Sequence, residues 1–369
     1  MTFFQFHPLA SLRAFTMLVC VALCSPQEAL ASKPATASKN NKTSPRAPAK
    51  APPRAKSPTR PKSPTRPKAQ TRPAAAAAAT QPEDLSDLAT WCKTIVPRLS
   101  GMPLNQCLSS GLAPGEGRSV RGVPLWLRDV PPPEGTASLR VFVLGGIHGD
   151  EPTSVNLVFD WLERAGKSQD NVIHWRMVPL GNPDGLLRRP SSRTNSRGVD
   201  LNRNFPTDDW SRDAHTYWAK RTGKDPRRYP GPKAMSEPET RWLQGQIEQF
   251  KPHLIVAIHA PYGLLDFDGP APPPNRLGSL YLDQIGIYPG SLGNYGGTME
   301  RVPVITVELK NARQVSRTEI QAIWRDLLKW IDLRLLPSFA AQVAPATPAA
   351  PTAPAVPALL LHSGGLDSL

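Results

Sequence analysis

The chain has 369 residues, with 44 Lys and Arg against 30 Asp and Glu, a net charge of +14, and 43 prolines. That length allows one large or two medium domains. Twelve of the basic residues and no acidic ones fall within 32–82, so the positive charge belongs to one stretch, which argues against a nucleic-acid-binding fold and for attraction of that stretch to a polyanionic surface.

Met1–Ala31 reads as a secretory leader. Arg13 precedes an apolar run from Ala14 to Leu23, and Ala29, Leu30 and Ala31 supply a small-residue cleavage site. About ten apolar residues are half of what a membrane-spanning helix needs, and Leu23 before Cys24 is not the small residue that lipidation of a cysteine asks for. The mature chain is therefore expected to be periplasmic or secreted. Residues 32–83 follow, rich in Pro, Ala, Lys and Arg, with Lys-Ser-Pro-Thr-Arg-Pro at 56–61 repeated at 62–67. Proline at this density removes backbone donors and favours extended, solvated chain, so this segment is expected to be a disordered linker that contacts an anionic envelope electrostatically. Cys20 and Cys24 leave with the leader. Cys92 and Cys107 remain, an even pair in an exported chain, for which a disulfide is expected.

A folded domain is expected over 84–338, with an N-terminal extension over 84–138, before an Ala/Pro-rich, disordered tail at 339–369. Helical spacing begins at Leu85–Pro97. Apolar runs predict strands at Arg140–Leu144, Val172–Val178, Leu254–Ile258 and Val302–Val307; several are consecutive apolar residues, as in a sheet covered on both faces. Between and after them Pro152–Arg164, Pro238–Phe250 and Thr318–Leu335 have helical periodicity, the first two with proline at a first helical position. Gly181-Asn-Pro-Asp-Gly185 has the composition of a turn. Strands alternating with helices predict an α/β sandwich, with a site outside the carboxyl ends of its strands.

The chemistry collects at those strand ends. The run Val141–Leu144 stops at two glycines and delivers His148 and Glu151, three residues apart; Leu254–Ile258 delivers His259; Val302–Val307 delivers Glu308. A close-spaced pair plus a remote third nitrogen or oxygen ligand is how a catalytic zinc is held with one position open. A carboxylate outside the ligand set is a standard base beside such a metal, which is the role expected for Glu308. His174 and His253 have no such company and are read as ordinary hydrogen-bonded histidines. Arg188, Arg189 and Arg193 precede Gly198-Val-Asp-Leu-Asn-Arg-Asn-Phe-Pro206. Arginine and asparagine are the residues for a carboxylate clamp, and Asn202 and Arg203, directly after an apolar Val-Asp-Leu, are the strongest candidates.

The ordered set His-Gly-Asp-Glu, Asn-Pro-Asp-Gly, Gly-Val-Asp-Leu-Asn-Arg-Asn-Phe-Pro, Ile-His-Ala and Thr-Val-Glu-Leu, between Leu139 and Leu336, resembles the zinc carboxypeptidases of the carboxypeptidase A type, most closely their bacterial murein peptide amidase branch. The resemblance implies a three-layer α/β sandwich around a mixed, mainly parallel sheet of about eight strands. It implies one zinc per chain on His148, Glu151 and His259, Glu308 as general base, Asn202 and Arg203 on the substrate's terminal carboxylate, and Arg193 on the scissile carbonyl. The implied substrate is a short muropeptide, cut between the side-chain carboxyl of D-glutamate and diaminopimelate; from position in the sequence alone, Asp266-Phe-Asp268 is expected near the distal groups of the latter. Tyr281, Tyr288 and Tyr295 all lie where the family's mobile tyrosine falls, and no motif selects one. Two other readings stand beside this: a zinc-dependent N-acyl amino acid deacylase of the succinylglutamate desuccinylase or aspartoacylase type, and a catalytically silent envelope-binding protein.

Overall fold

The computed structural model describes residues 85–133, 139–168 and 172–343. The expected leader, the linker and the tail beyond 343 lie outside them. Helix α1 (Leu88–Ile95) starts at Asp87, whose carboxylate accepts from the Thr90 amide at 2.9 Å. It gives way to a 3-10 turn over Val96–Arg98, where Pro97 lacks the amide an α-helix would use. Helix α2 (Leu104–Leu108) follows, and the Cys92–Cys107 disulfide, with Cα atoms 5.8 Å apart, joins the two helices. Strands β1 (Ala113–Arg118) and β2 (Pro124–Val130) pair antiparallel. The first has no alternating pattern to announce it, since Ala-Pro-Gly-Glu-Gly-Arg buries none of its residues fully.

The chain then alternates. Strand β3 (Leu139–Leu144) leads into α3 (Pro152–Lys167), β4 (Ile173–Val178) and the short α4 (Pro183–Leu187). Two helices come next, α5 (Trp210–Arg221) and α6 (Pro238–Phe250), then β5 (Leu254–His259), β6 (Leu264–Asp268) and the small hairpin of β7 (Arg276–Leu277) and β8 (Leu280–Tyr281). A π-helical turn over Asn294–Met299 precedes β9 (Val304–Glu308), α7 (Arg317–Trp330) and, after a π turn over Ile331–Leu335, α8 (Leu336–Val343). Helix α5 was invisible to periodicity because only Trp210 and Ala214 of it are buried.

The main sheet has seven strands in the order β1-β2-β4-β3-β5-β9-β6. Its four central strands are parallel and the flanking pairings, β1 with β2, β2 with β4 and β6 with β9, are antiparallel. The architecture is thus the expected α/β sandwich on a mixed sheet, with one strand fewer than anticipated and parallel pairing confined to the centre. Its consecutive apolar runs serve two faces at once, because successive side chains alternate across a strand. Val141, Val143, Val256, Ile258, Ile305 and Val307 face a layer containing α1, α3 and α7, whereas Phe142, Leu144, Ile255, Ala257 and Val304 pack with Leu243, Ile247 and Phe250 of α6. On the first face Trp324 of α7 closes on Trp161 and Trp175, with ring centroids 5.1 and 4.9 Å away. Each fully buried Val, Leu, Ile or Phe of these strands contributes about 1.5–3 kcal/mol. Because β3, β4, β5 and β9 are parallel and adjacent, their carboxyl ends open on one edge, with His259 and Glu308 directly paired across β5 and β9.

Candidate metal centre and substrate cavity

The first ligand loop, 145–151, is clamped by the segment after β4. Gly181 and Asn182 donate their amides to the carbonyls of Gly145 and Gly146, at 3.0 and 2.8 Å. Asn182 caps α4, accepting from the Gly185 amide at 2.8 Å, and its side-chain nitrogen donates to the carbonyls of Ile147 and Arg193 at 3.3 and 3.0 Å. Asp184 accepts from Ser119 Oγ, the Arg121 amide and Ser196 Oγ. The Asn-Pro-Asp-Gly motif is therefore the first turn of a capped helix that ties two functional loops together, and not the simple turn its composition suggests. Gly149 has a matching reason: a Cβ there would collide with the backbone of Gly185 and Leu186.

His148, Glu151 and His259 converge, all buried. His148 Nδ1 lies 2.9 Å from Glu151 Oε1 and 3.1 Å from His259 Nδ1, which is 3.3 Å from Glu151 Oε2. Ligand atoms on a tetrahedral zinc with bonds near 2.1 Å sit about 3.4 Å apart. Two imidazole nitrogens aimed at each other, with a carboxylate beside them, make a donor set that fits zinc.

Around the triad lies a charged shell. Asp200, fully buried, accepts the second nitrogen of His148 at 3.1 Å through Oδ1 and Arg193 Nε at 2.9 Å through Oδ2. This carboxylate orients the histidine so that Nδ1 is the nitrogen left for the metal. Arg193 Nη1 also reaches Glu151 Oε1 at 3.3 Å. Burial pushes Glu151 up, but the facing imidazoles outweigh it and hold the carboxyl well below the ordinary range. Burial raises Asp200 as well, and Arg193 and His148 overcome it. Glu308 behaves differently: burial, reinforced by Glu151, leaves its carboxyl raised above its ordinary value, the direction a proton-accepting group near neutral pH needs.

A cavity of about 380 Å³ opens beside the triad, lined in part by His148, His259, Glu308, Arg193, Asn202 and Arg203. The cavity thus brings these six residues together, with Glu151 beside them in the triad. Arg203 is buried, donates to the Asn202 carbonyl at 2.6 Å and lies 4.5 Å over the ring of Tyr288. Asn202 uses its side-chain oxygen to accept the Leu292 amide at 2.8 Å, leaving its amide nitrogen for the cavity. Arg188 and Arg189 are exposed and line no part of it. Of the three tyrosines, Tyr288 lines the cavity, Tyr281 is exposed and Tyr295 is buried against Phe205. His253 accepts the Arg140 amide at 3.0 Å and His174 lies 3.3 Å from Asp129, both away from the centre, as ordinary histidines. Sequence reasoning missed Asp200, Arg228 and Tyr262. Asp200 stood in plain view in Val-Asp-Leu-Asn-Arg, as the only acid of that motif; nothing marked Arg228, at the end of a 3-10 turn over Pro226–Arg228, or Tyr262, in a loop, both of which line the cavity.

The sequence profile of the zinc carboxypeptidases matches residues 115–265. The chain is 31% identical to murein peptide amidase A of Vibrio campbellii over 201 residues, covering 52% of this chain and 77% of that protein. It is 34% identical to murein peptide amidase A of Escherichia coli K12 over 152 residues, 41% of this chain and 60% of that one. Among solved structures, murein-tripeptide amidase MpaA from Escherichia coli O157 superposes with a TM-score of 0.43 at 27% identity, over 60% of this chain and 92% of that chain. The profile ends before Glu308, which the pairing of β9 with β5 sets beside His259 at the cavity.

Proposed function

The chain belongs to the zinc carboxypeptidase family and is a hydrolase of that kind, and we propose that it releases diaminopimelate from the end of a short cell-wall peptide by cutting its amide to the side-chain carboxyl of D-glutamate. One observation carries the reading. Arg203 is a buried guanidinium with no acidic partner within salt-bridge distance among the described residues, and it faces the same cavity as Glu308, His148 and His259. A buried cation of this kind is strongly stabilised by a carboxylate brought in by the ligand. The murein peptide amidases it resembles give the cell-wall class, and the leader and basic linker suit an enzyme exported to an anionic envelope.

His148, Glu151 and His259 would hold the zinc, which when bound supplies Lewis acidity toward the scissile carbonyl and toward water. Arg203 and Asn202 grip the terminal carboxylate and so fix the amide in front of Glu308. Glu308 takes a proton from the water whose oxygen adds to the carbonyl carbon. It returns that proton to the amide nitrogen as the C–N bond breaks, giving an acid and a free amine. Arg193 has Nε and Nη1 engaged by Asp200 and Glu151, which leaves Nη2 to donate to the oxygen as negative charge develops on it.

Zinc-loaded protein should be offered tripeptide and tetrapeptide muropeptides side by side, with the released fragments identified by mass. Free diaminopimelate from the tripeptide supports the reading. Preferential release of D-alanine from the tetrapeptide would redirect it to another peptidoglycan carboxypeptidase, and cleavage of N-acyl amino acids alone would make it a deacylase.

A further inference from the structure

Arg98 precedes the residues that the family profile matches, yet it is tied to the loop that carries Arg193. It ends the 3-10 turn between α1 and α2. That turn is held firmly. Ile95 before it and Leu99 after it are buried in the core, the Ser100 carbonyl accepts Asn156 Nδ2 of α3 at 2.9 Å, and the Cys92–Cys107 disulfide closes the segment that contains it. From this support the guanidinium reaches α4. Nε donates to the Leu186 carbonyl at 3.2 Å, and Nη2 donates to the Arg188 carbonyl and to Ser191 Oγ, both at 2.8 Å.

The last carbonyls of a helix have no partner within it, so Arg98 closes the end of α4 as Asn182 caps its start. Beyond α4 the chain folds back on the helix. Ser191 Oγ donates to the Leu186 carbonyl at 2.9 Å and the Ser192 amide to the Gly185 carbonyl at 2.8 Å. Arg193 follows at once, its carbonyl accepting Asn182 Nδ2 at 3.0 Å and its guanidinium set between Asp200 and Glu151 at the cavity. Arg98 itself lines no part of that cavity. The loop is therefore pinned from the inside by Asn182 and from the outside by Arg98, whose bonds are strengthened by its charge.

We propose that Arg98 is a positioning residue for the hydrolysis: from the disulfide-closed extension it fixes the loop over 186–192, and through that loop the place of the Arg193 guanidinium. The assignment rests on the carboxypeptidase reading above, in which Arg193 donates to the oxygen that becomes negative. It adds to the machinery a segment that touches neither metal nor substrate. Misplacing a reacting group by about 1 Å can cost about a hundredfold in rate, so a loosened loop is read in turnover.

Zinc-loaded wild type and Arg98→Ala are compared on the tripeptide muropeptide. In the variant kcat should fall at least about tenfold with KM within about twofold and zinc content unchanged, because Arg203, Asn202 and the triad are held by other contacts. Arg98→Lys, which keeps the charge and some of the donors, should recover part of the loss. In an Arg193→Ala background, adding Arg98→Ala should lower kcat by no more than about twofold, since the group it positions is gone. Full kcat in Arg98→Ala, an equal loss with and without Arg193, or full kcat in Arg193→Ala overturns the proposal. Hydrogen exchange gives a readout apart from turnover: the Arg188 and Ser192 amides should exchange at least about tenfold faster in Arg98→Ala, and unchanged exchange also overturns it. If wild type cuts no peptide, the peptidase reading fails, and the exchange comparison alone decides whether Arg98 fixes the loop. Should Arg98→Ala not fold, Arg98→Lys and Ser191→Ala carry the same comparisons.

Discussion

Arg203 and Glu308 face one cavity yet should fail differently when changed. Glu308→Gln keeps the shape and removes the proton acceptor, so zinc stays bound while turnover falls at least about a hundredfold, the low end for loss of a general base. Turnover near wild type with metal in place would remove Glu308 from the chemistry. Arg203→Ala removes a group that holds substrate before and during the reaction, so the loss should appear in KM more than in kcat, about thirtyfold in kcat/KM for one charged contact. A fall confined to kcat would move Arg203 from the clamp to the reacting carbonyl. At this scale the ligand set is legible from sequence, because zinc chemistry dictates residue types, His148 and His259 follow apolar runs and Glu151 stands three residues after His148. Asp200 was not, since its function is to orient His148 from 52 positions away, a contact that only the folded loop creates.

At the scale of elements, the four central strands and α3, α6 and α7 are legible because each carries a long apolar pattern, and their bounds shift by only a few residues. Strand β1 and helix α5 escape because they lie at the sheet edge or on the surface, with little apolar periodicity to announce them, and β2, although it buries Leu125, Trp126 and Val130, was not singled out. The least legible feature is how the ligand loop rests on α4. That contact predicts a specific sensitivity: Gly149→Ala forces a methyl into the backbone of Gly185 and Leu186, and should cost at least about 2 kcal/mol, the scale of overpacking in a closed interior. Denaturant unfolding reads the loss, and zinc affinity should weaken with it, since Gly149 lies between His148 and Glu151. An unchanged unfolding midpoint would mean that the two loops are not packed as described.

At the scale of the whole molecule, the chain joins a charged, proline-rich segment to a catalytic domain, and the two should separate by experiment. A chain beginning at Asp84 should act on soluble peptides as the mature protein does but lose salt-sensitive retention on isolated envelopes, because the twelve basic residues of 32–82 are gone. Equal retention of the two at low salt would rule out an electrostatic tether. The catalytic account depends throughout on a metal held where His148, Glu151 and His259 converge, and zinc content measured by elemental analysis on purified wild type and His259→Ala tests this most directly. The account predicts about one zinc per wild-type chain and a loss of most of it in the variant, a site with three protein ligands having been cut to two. Stoichiometric zinc of unchanged affinity in His259→Ala would contradict it.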